Sequence, residues 1–158
     1  MKTNTIKRFI TIAAAVAITF AIGAGSVYAQ GGPLVPNGSD NGNGTITDGG
    51  LVWLKNANCF GTQNWQTAMN SAAGLQSGSC GLTDKSTAGQ WRLPTKEELQ
   101  RRQQNKSGFN NVQANYYWSS SSYSFYTDYA WFVGMGYGGM FGYGKSYSFY
   151  VWPVRAGQ

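Results

Sequence analysis

The chain has 158 residues, of which 24 are aromatic, only 11% are charged and none is histidine. A single domain is expected from this length. The lack of histidine excludes the usual serine and cysteine hydrolase triads and the commonest zinc ligand. The composition therefore favours a binding protein over an enzyme, and we expect no cofactor and no metal centre.

The first 29 residues have the three parts of a secretory signal peptide. Lys2, Lys7 and Arg8 precede an apolar run from Phe9 to Ala24, and small residues lead to Ala29. We expect export to the periplasm, the cell surface or the medium, with the membrane involved only through this signal. The alternative is an uncleaved membrane anchor, because the run approaches spanning length. Cleavage would remove three positive charges and halve the formal charge of +6.

The leader and the cysteines fit an exported domain. Residues 30–38 are rich in Gly and Pro and are expected to form a flexible leader, which leaves residues 39–158 as the folded domain. The spacing of Cys59 and Cys80 fits neither a redox pair nor a zinc site. In an oxidising compartment the expected outcome is a disulfide between them.

The first half of the domain predicts two strands and a helix. Residues 45–54 favour two short strands around a turn at Gly49-Gly50. Residues 65–75 favour a helix, because small and apolar side chains recur at the i, i+3, i+4 and i+7 spacing. Asn64 or Thr62 would cap its start.

A second helix is predicted by a capping box. After a short predicted strand at residues 90–93, Thr95 and Glu98 have the T-x-x-E spacing in which each side chain bonds a free backbone N–H. We expect this helix to end near Asn105.

The amino-acid composition changes in residues 116–152, which hold 16 of the 24 aromatic residues and only two charged ones. Tyr, Phe and Trp favour strands, and glycines interrupt them. Three strands are predicted, near residues 116–120, 129–135 and 148–155. A Gly-rich stretch at 134–146 separates the last two. The order of elements predicts an α+β fold, with two helices against one side of a mostly antiparallel sheet, and long loops.

Four motifs together resemble one protein family. They are DNGNGTITDGGLVW at 40–53, WRLPT with Glu98-Leu99 at 91–99, YWSSS at 117–121, and the pairs Ala130-Trp131 and Val154-Arg155. The sequence is similar to the Lcl C-terminal domain family over about residues 38–156. The resemblance implies an exported bacterial domain with a C-type-lectin-like fold. The family includes the terminal domain of a collagen-like adhesin that binds sulfated glycosaminoglycans.

The chain departs from the family pattern at residues 133–145. Relatives often carry runs of Asn there, where this chain has Gly, Tyr and Phe. Some related domains are diversified by retroelements that mutate adenines, which turns Asn codons into codons for those residue types. Two hypotheses follow from the resemblance: a retroelement-diversified contact surface, or ordinary drift in a variable loop.

The aromatic segment is the leading candidate for ligand binding. Tyr interleaved with Gly and Ser offers broad contact at little entropic cost, as in antibody loops. The expected contact residues are Tyr123, Phe125, Tyr126, Tyr137, Phe141, Tyr143 and Tyr147. Tryptophans are expected in the core instead, namely Trp53, Trp91, Trp118 and Trp131. The expected partner is an extracellular protein or glycan.

Basic residues near the second helix form a second candidate, a site for sulfated or phosphate-rich polyanions. They are Arg92, Lys96, Arg101, Arg102 and Lys106. The alternative is a solvated helix face, because Glu97 and Glu98 interrupt the patch and late basic residues complement the helix dipole. We expect no nucleic-acid partner for an exported protein.

Neither catalysis nor calcium binding is predicted. The adjacent Glu97 and Glu98 point in different directions on a helix, so they cannot flank one bond. Residues 39–47 resemble the start of an EF-hand loop, but Ser39 and Gly50 stand where two anionic ligands are required. An envelope-associated structural domain without a ligand remains the other alternative, and the sequence does not set the oligomeric state.

Overall fold

The computed structural model describes residues 38–157, which form two helices and nine strands in two sheets. The α+β class is confirmed. The predicted signal peptide and residues 30–37 of the predicted leader lie outside the described residues, and the C-type-lectin type stays a prediction. Within residues 38–157, neither helix has the length and apolar character to cross a membrane.

The elements follow one another as β1 (Ser39–Asp40), β2 (Thr45–Asp48), β3 (Leu51–Leu54), β4 (Thr62–Asn64), α1 (Trp65–Gly74), α2 (Lys96–Gln104), β5 (Tyr116–Ser122), β6 (Tyr129–Gly134), β7 (Met140–Gly144), β8 (Ser148–Tyr150) and β9 (Val154–Ala156). The first sheet has the order β1-β2-β3-β9 and is antiparallel throughout. The second has the order β4-β8-β5-β6-β7, and only β5 and β8 pair in parallel.

Both helices begin where the capping residues predict. The side chain of Asn64 accepts a hydrogen bond from the backbone N–H of Thr67 at 2.9 Å. At the start of α2, Thr95 accepts from the N–H of Glu98, and the Glu98 carboxylate accepts from the N–H of Thr95. These bonds satisfy N–H groups that a helix start leaves without an internal partner.

The two helices lie on opposite faces of the second sheet, not on one side of a single sheet, which corrects the predicted arrangement. Leu99 of α2 packs with Tyr117 and Val133 in one core cluster. Ala68 of α1 packs with Trp118 in the other. Because successive residues of a strand point to opposite faces, the adjacent Tyr117 and Trp118 each reach a different core.

Three of the four predicted core tryptophans are buried, and one is not. Trp53 and Trp91 lie in the core beside α2, and Trp118 in the core beside α1. Trp131 is half-buried and belongs to neither core. Its position on β6 directs it past the start of α2, where Lys96 and Tyr123 contact its ring instead.

The strand predictions need several corrections, and the short strands β1 and β4 were not predicted at all. The Gly-rich stretch contains strand β7, which the sequence did not predict. The single strand expected at 148–155 is two, because residues 151–153 leave the second sheet and β9 joins the first. The strand expected at 90–93 is one isolated bridge, between Arg92 and Val154.

The predicted disulfide between Cys59 and Cys80 is confirmed, with the two Cα atoms 5.7 Å apart. It joins the segment before β4 to the loop after α1. Closing this loop of 21 residues stabilises the fold by about 3 kcal/mol in the chain-entropy view. A structural disulfide also indicates an oxidising compartment.

Candidate ligand-binding surface

Strands β6 and β7 place exposed aromatic rings on one face of the second sheet. In their register Phe132 pairs with Phe141, and Ala130 pairs with Tyr143. Side chains of directly paired residues lie on the same face. Phe132 also packs with Trp118 and with α1, so this is the face that carries α1. Beyond the helix the rings have no covering element among the described residues.

Seven rings form this surface, here called the sheet patch. They are Tyr116, Phe132, Tyr137, Phe141, Tyr143, Tyr147 and Phe149. Phe132 and the half-buried Phe149 form its floor, with ring centroids 4.9 Å apart. Tyr116 stands edge-on to both, at 4.9 Å and 5.3 Å. Tilted and edge-to-face contacts at these distances are favourable and hold the rings in place.

Glycines make room for the rim of the sheet patch. A Cβ on Gly139 would come within 2.3 Å of the ring of Tyr137, and one on Gly134 within 2.6 Å. The Tyr137 side chain therefore lies directly over the backbone of these two residues. On the opposite rim, Tyr143 and Tyr147 meet edge-to-face at 4.5 Å. The Gly-rich composition thus serves to seat large side chains on a strand pair.

The sheet patch carries no charged side chain. The hydroxyl of Tyr147 raises the pKa of the Tyr143 phenol, so this group stays neutral at physiological pH. Lys145 lies nearby in sequence, but its ammonium donates to the carbonyl of Thr127 at 2.7 Å and lies 4.4 Å from the ring centre of Trp65. The surface therefore offers apolar ring faces and neutral hydroxyls.

A second aromatic surface, here called the hairpin cluster, lies around the connection between β5 and β6. It consists of Tyr123, Phe125, Tyr126, Tyr129 and Trp131. Tyr123 is its centre. Its ring centroid lies 4.8 Å from that of Trp131, and its ring is stacked on that of Tyr126 with centroids 6.2 Å apart. Phe125 is 81% exposed. The ring of Tyr123 also covers Gly142, where a Cβ would approach it to 2.4 Å.

The seven predicted contact residues therefore divide between two surfaces. Tyr137, Phe141, Tyr143 and Tyr147 lie in the sheet patch. Tyr123, Phe125 and Tyr126 lie in the hairpin cluster. Sequence reasoning missed Tyr116 as a contact residue. Alternation places Tyr116 on the same face as Trp118, and its position as the first residue of the predicted strand was the signal that could have placed it at the exposed end of that face.

Arg102 does not belong to an exposed basic patch, which corrects the prediction for this residue. Its side chain is 5% exposed and donates to the carboxylate of Asp48 at 2.7 Å. The guanidinium lies between the rings of Trp53 and Phe109, 4.7 Å and 4.6 Å from their centres. Burial lowers its pKa, and the Asp48 carboxylate opposes that shift. Arg102 thus joins α2 to the first sheet.

Other predicted polyanion residues are also held in internal contacts. Arg92 makes two hydrogen bonds to the Glu98 carboxylate, at 2.7 Å and 2.8 Å. The ammonium of Lys106 donates to the carbonyls of Gln103 and Met135. Lys96 lies over the ring of Trp131. Of the five residues, Arg101 is the exposed one. The five side chains do not form one continuous basic surface.

The family model of the Lcl C-terminal domain matches residues 44–155. The chain belongs to this family. In this Lcl C-terminal domain the match includes β2 to β8 and all seven residues of the sheet patch. A comparison with curated proteins found no match.

Proposed function

We propose that this Lcl C-terminal domain is an exported ligand-binding domain, not an enzyme, and that it holds an extracellular protein or glycan against the sheet patch. The observation that carries the proposal is the set of five exposed rings on the floor of Phe132 and Phe149. Contiguous exposed aromatic surface of this kind marks interaction sites in soluble proteins.

The contacts among the rings favour binding in two ways. Exposed rings that already touch their neighbours lose little freedom when a ligand arrives, so less of the contact energy is spent on ordering. Neutral phenol hydroxyls at the rim can donate and accept hydrogen bonds beside the apolar ring faces. A sugar ring or an apolar side chain with flanking polar groups has the complementary chemistry.

The placement of residues 133–145 supports a variable contact surface. Met135 is buried and Met140 is half-buried. Tyr137, Phe141 and Tyr143 are exposed, at positions where members often carry Asn. We propose that these exposed positions are diversified by a retroelement. A reverse transcriptase gene and a near-copy of this segment beside the gene would support the proposal, and their absence would refute it.

The binding test is a labelled protein screened against arrays of glycans and extracellular proteins. A variant that combines Tyr137→Ala, Phe141→Ala and Tyr143→Ala should keep its near-ultraviolet circular dichroism and lose the saturable hits of the wild type. If the variant unfolds, the rings are structural. If the wild type gives no saturable hit, the domain is an envelope-associated structural unit.

Salt dependence separates this proposal from polyanion binding. Contacts to an uncharged patch should change little with ionic strength, whereas binding through lysine and arginine weakens steeply as salt screens the charges. Arg101→Ala is the control, because Arg101 is the exposed arginine of α2 and lies outside the sheet patch. Loss of the hits in this variant would favour the polyanion alternative.

A further inference from the structure

Strand β7 forms an open edge of the second sheet. It is the last strand in the order β4-β8-β5-β6-β7. The N–H of Gly134 donates to the carbonyl of Gly139, and the N–H of Lys145 donates to the carbonyl of Asp128, both at 2.8 Å. These two bonds show which residues of β7 form hydrogen-bonded pairs with residues of β6.

The same pairing shows which backbone groups of β7 face away from the sheet. In an antiparallel pair, alternate residues direct both N–H and C=O to the partner strand. Phe141 lies two residues after Gly139, and Tyr143 lies two residues before Lys145. Both therefore belong to the hydrogen-bonded pairs, and their backbone N–H and C=O groups bond to β6. Those of Met140 and Gly142 point away from the sheet. Within the described residues, neither makes another backbone hydrogen bond.

Among residues 38–157, this edge has little of the usual protection against pairing. Sheet edges are normally blunted by lysine, proline, inward-pointing charges or a covering segment. The sequence of β7 is MFGYG, which has no charge and no proline. The adjacent Lys145 is held by the carbonyl of Thr127 and the ring of Trp65. β7 itself therefore carries no charge that would oppose an approaching strand.

We propose that the β7 edge pairs antiparallel with β7 of a second copy of this chain, about a two-fold axis at Gly142. The N–H and C=O of each Gly142 would bond to Gly142 of the second copy. Phe141 would then stand opposite Tyr143 of the second copy on the face of the sheet patch. Directly opposed aromatic residues stabilise a strand pair, and the two patches would become one continuous surface.

The second copy is favoured because the edge is complementary to itself. A two-fold contact requires one surface to match its own copy. Gly142 is flanked by an aromatic residue on each side. A two-fold axis at Gly142 therefore places Phe141 of one copy opposite Tyr143 of the other, and Tyr143 opposite Phe141. Identical strands also carry identical charge, which would oppose pairing in a charged edge, and β7 has none. A strand from a different protein is the competing occupant.

Sedimentation velocity of the purified protein over a concentration series tests the proposal. Gly144→Lys places a charge on the edge opposite Met140 of the second copy. A Cβ at Gly144 meets nothing closer than the Tyr147 ring at 3.5 Å, so the fold should tolerate it. Gly144→Ala is the matched control. We expect a dimer for the wild type and the control. For Gly144→Lys we expect a dimer dissociation constant at least about tenfold higher, which shifts the protein towards monomer.

Amide hydrogen exchange gives a second, residue-specific readout. The amides of Met140 and Gly142 should become protected as concentration rises. The amides of Phe141 and Tyr143, already bonded to β6, should change less. A wild type that stays monomeric at its highest soluble concentration overturns the proposal. So does a dimer that Gly144→Lys leaves intact, or one in which Met140 and Gly142 exchange as in the monomer.

Discussion

The ring of Phe141 lies 5.9 Å from that of Phe132, the residue paired with it across β6 and β7. Phe132 is 6% exposed and Phe141 is 52% exposed. A buried ring thus supports an exposed one on the same face of the sheet. This relationship separates the part of the sheet patch that holds the fold from the part that is free to contact a ligand.

The first prediction contrasts these two rings. Phe132→Ala should lower the free energy of unfolding by about 3 to 5 kcal/mol, because it leaves a cavity under Tyr116 and Phe149. Phe141→Ala should cost much less, since half of its ring is already in water. Urea unfolding of both variants measures the difference. Equal losses would mean that Phe141 is a core residue.

The second prediction concerns the glycine beneath Tyr123. A Cβ on Gly142 would come 2.4 Å from Cδ2 of Tyr123, so Gly142→Ala must displace that ring. We expect a loss of about 1 to 3 kcal/mol from overpacking. In a Tyr123→Ala background the same change should cost almost nothing. A double-mutant cycle by urea unfolding checks this, and additive losses would contradict it.

Local rules predicted the helices but not all of the aromatic strands. Asn64 and the Thr95–Glu98 pair fix the helix starts through bonds within one turn of chain, which a sequence displays directly. Strand β7 was hidden because its glycines weaken any strand prediction. The ring that takes the place of a side chain at Gly142 is that of Tyr123, which is distant in sequence.

The errors at Trp131 and Arg102 have the same origin. Residue type predicts Trp inside and Arg outside, and both tendencies were overridden by tertiary contacts. Arg102, on α2, can be buried because the carboxylate of Asp48, on the first sheet, pairs with its positive charge. Trp131 is left half-buried because α2 covers the neighbouring part of its sheet face, while Lys96 and Tyr123 contact its ring.

The third prediction concerns the buried ion pair of Arg102 and Asp48. Asp48→Asn removes the anion and leaves the guanidinium buried between two rings, so we expect a loss of about 3 kcal/mol. The matched control is Asp40→Asn, because Asp40 pairs with Lys55 at an exposed position. That variant should unfold at nearly the wild-type urea concentration. A similar loss in both would contradict the structural role of Arg102.

The fourth prediction concerns acid stability. The hydrogen bonds from Arg92 lower the pKa of Glu98 in the folded state. The ionised carboxylate therefore stabilises the fold above its unfolded pKa, about 4.3, and this stabilisation is lost as the pH falls through the lower folded pKa. Melting temperatures of the wild type and Glu98→Gln should differ at neutral pH and converge in acid.

Glu97→Gln is the control for that experiment, because the Glu97 side chain is exposed on the same turn of α2. Its melting temperature should follow that of the wild type at every pH. A gap between the wild type and Glu98→Gln that persists below the folded pKa would show that the substitution acts through packing rather than charge.

The most direct test of the sheet patch compares two pairs of exposed rings on the same array hits. Phe141→Ala with Tyr143→Ala removes rings from the sheet patch, and Phe125→Ala with Tyr126→Ala removes even more exposed rings from the hairpin cluster. We predict that only the first variant loses saturable binding while both stay folded. Binding retained by the first variant, or lost only in the second, would contradict it.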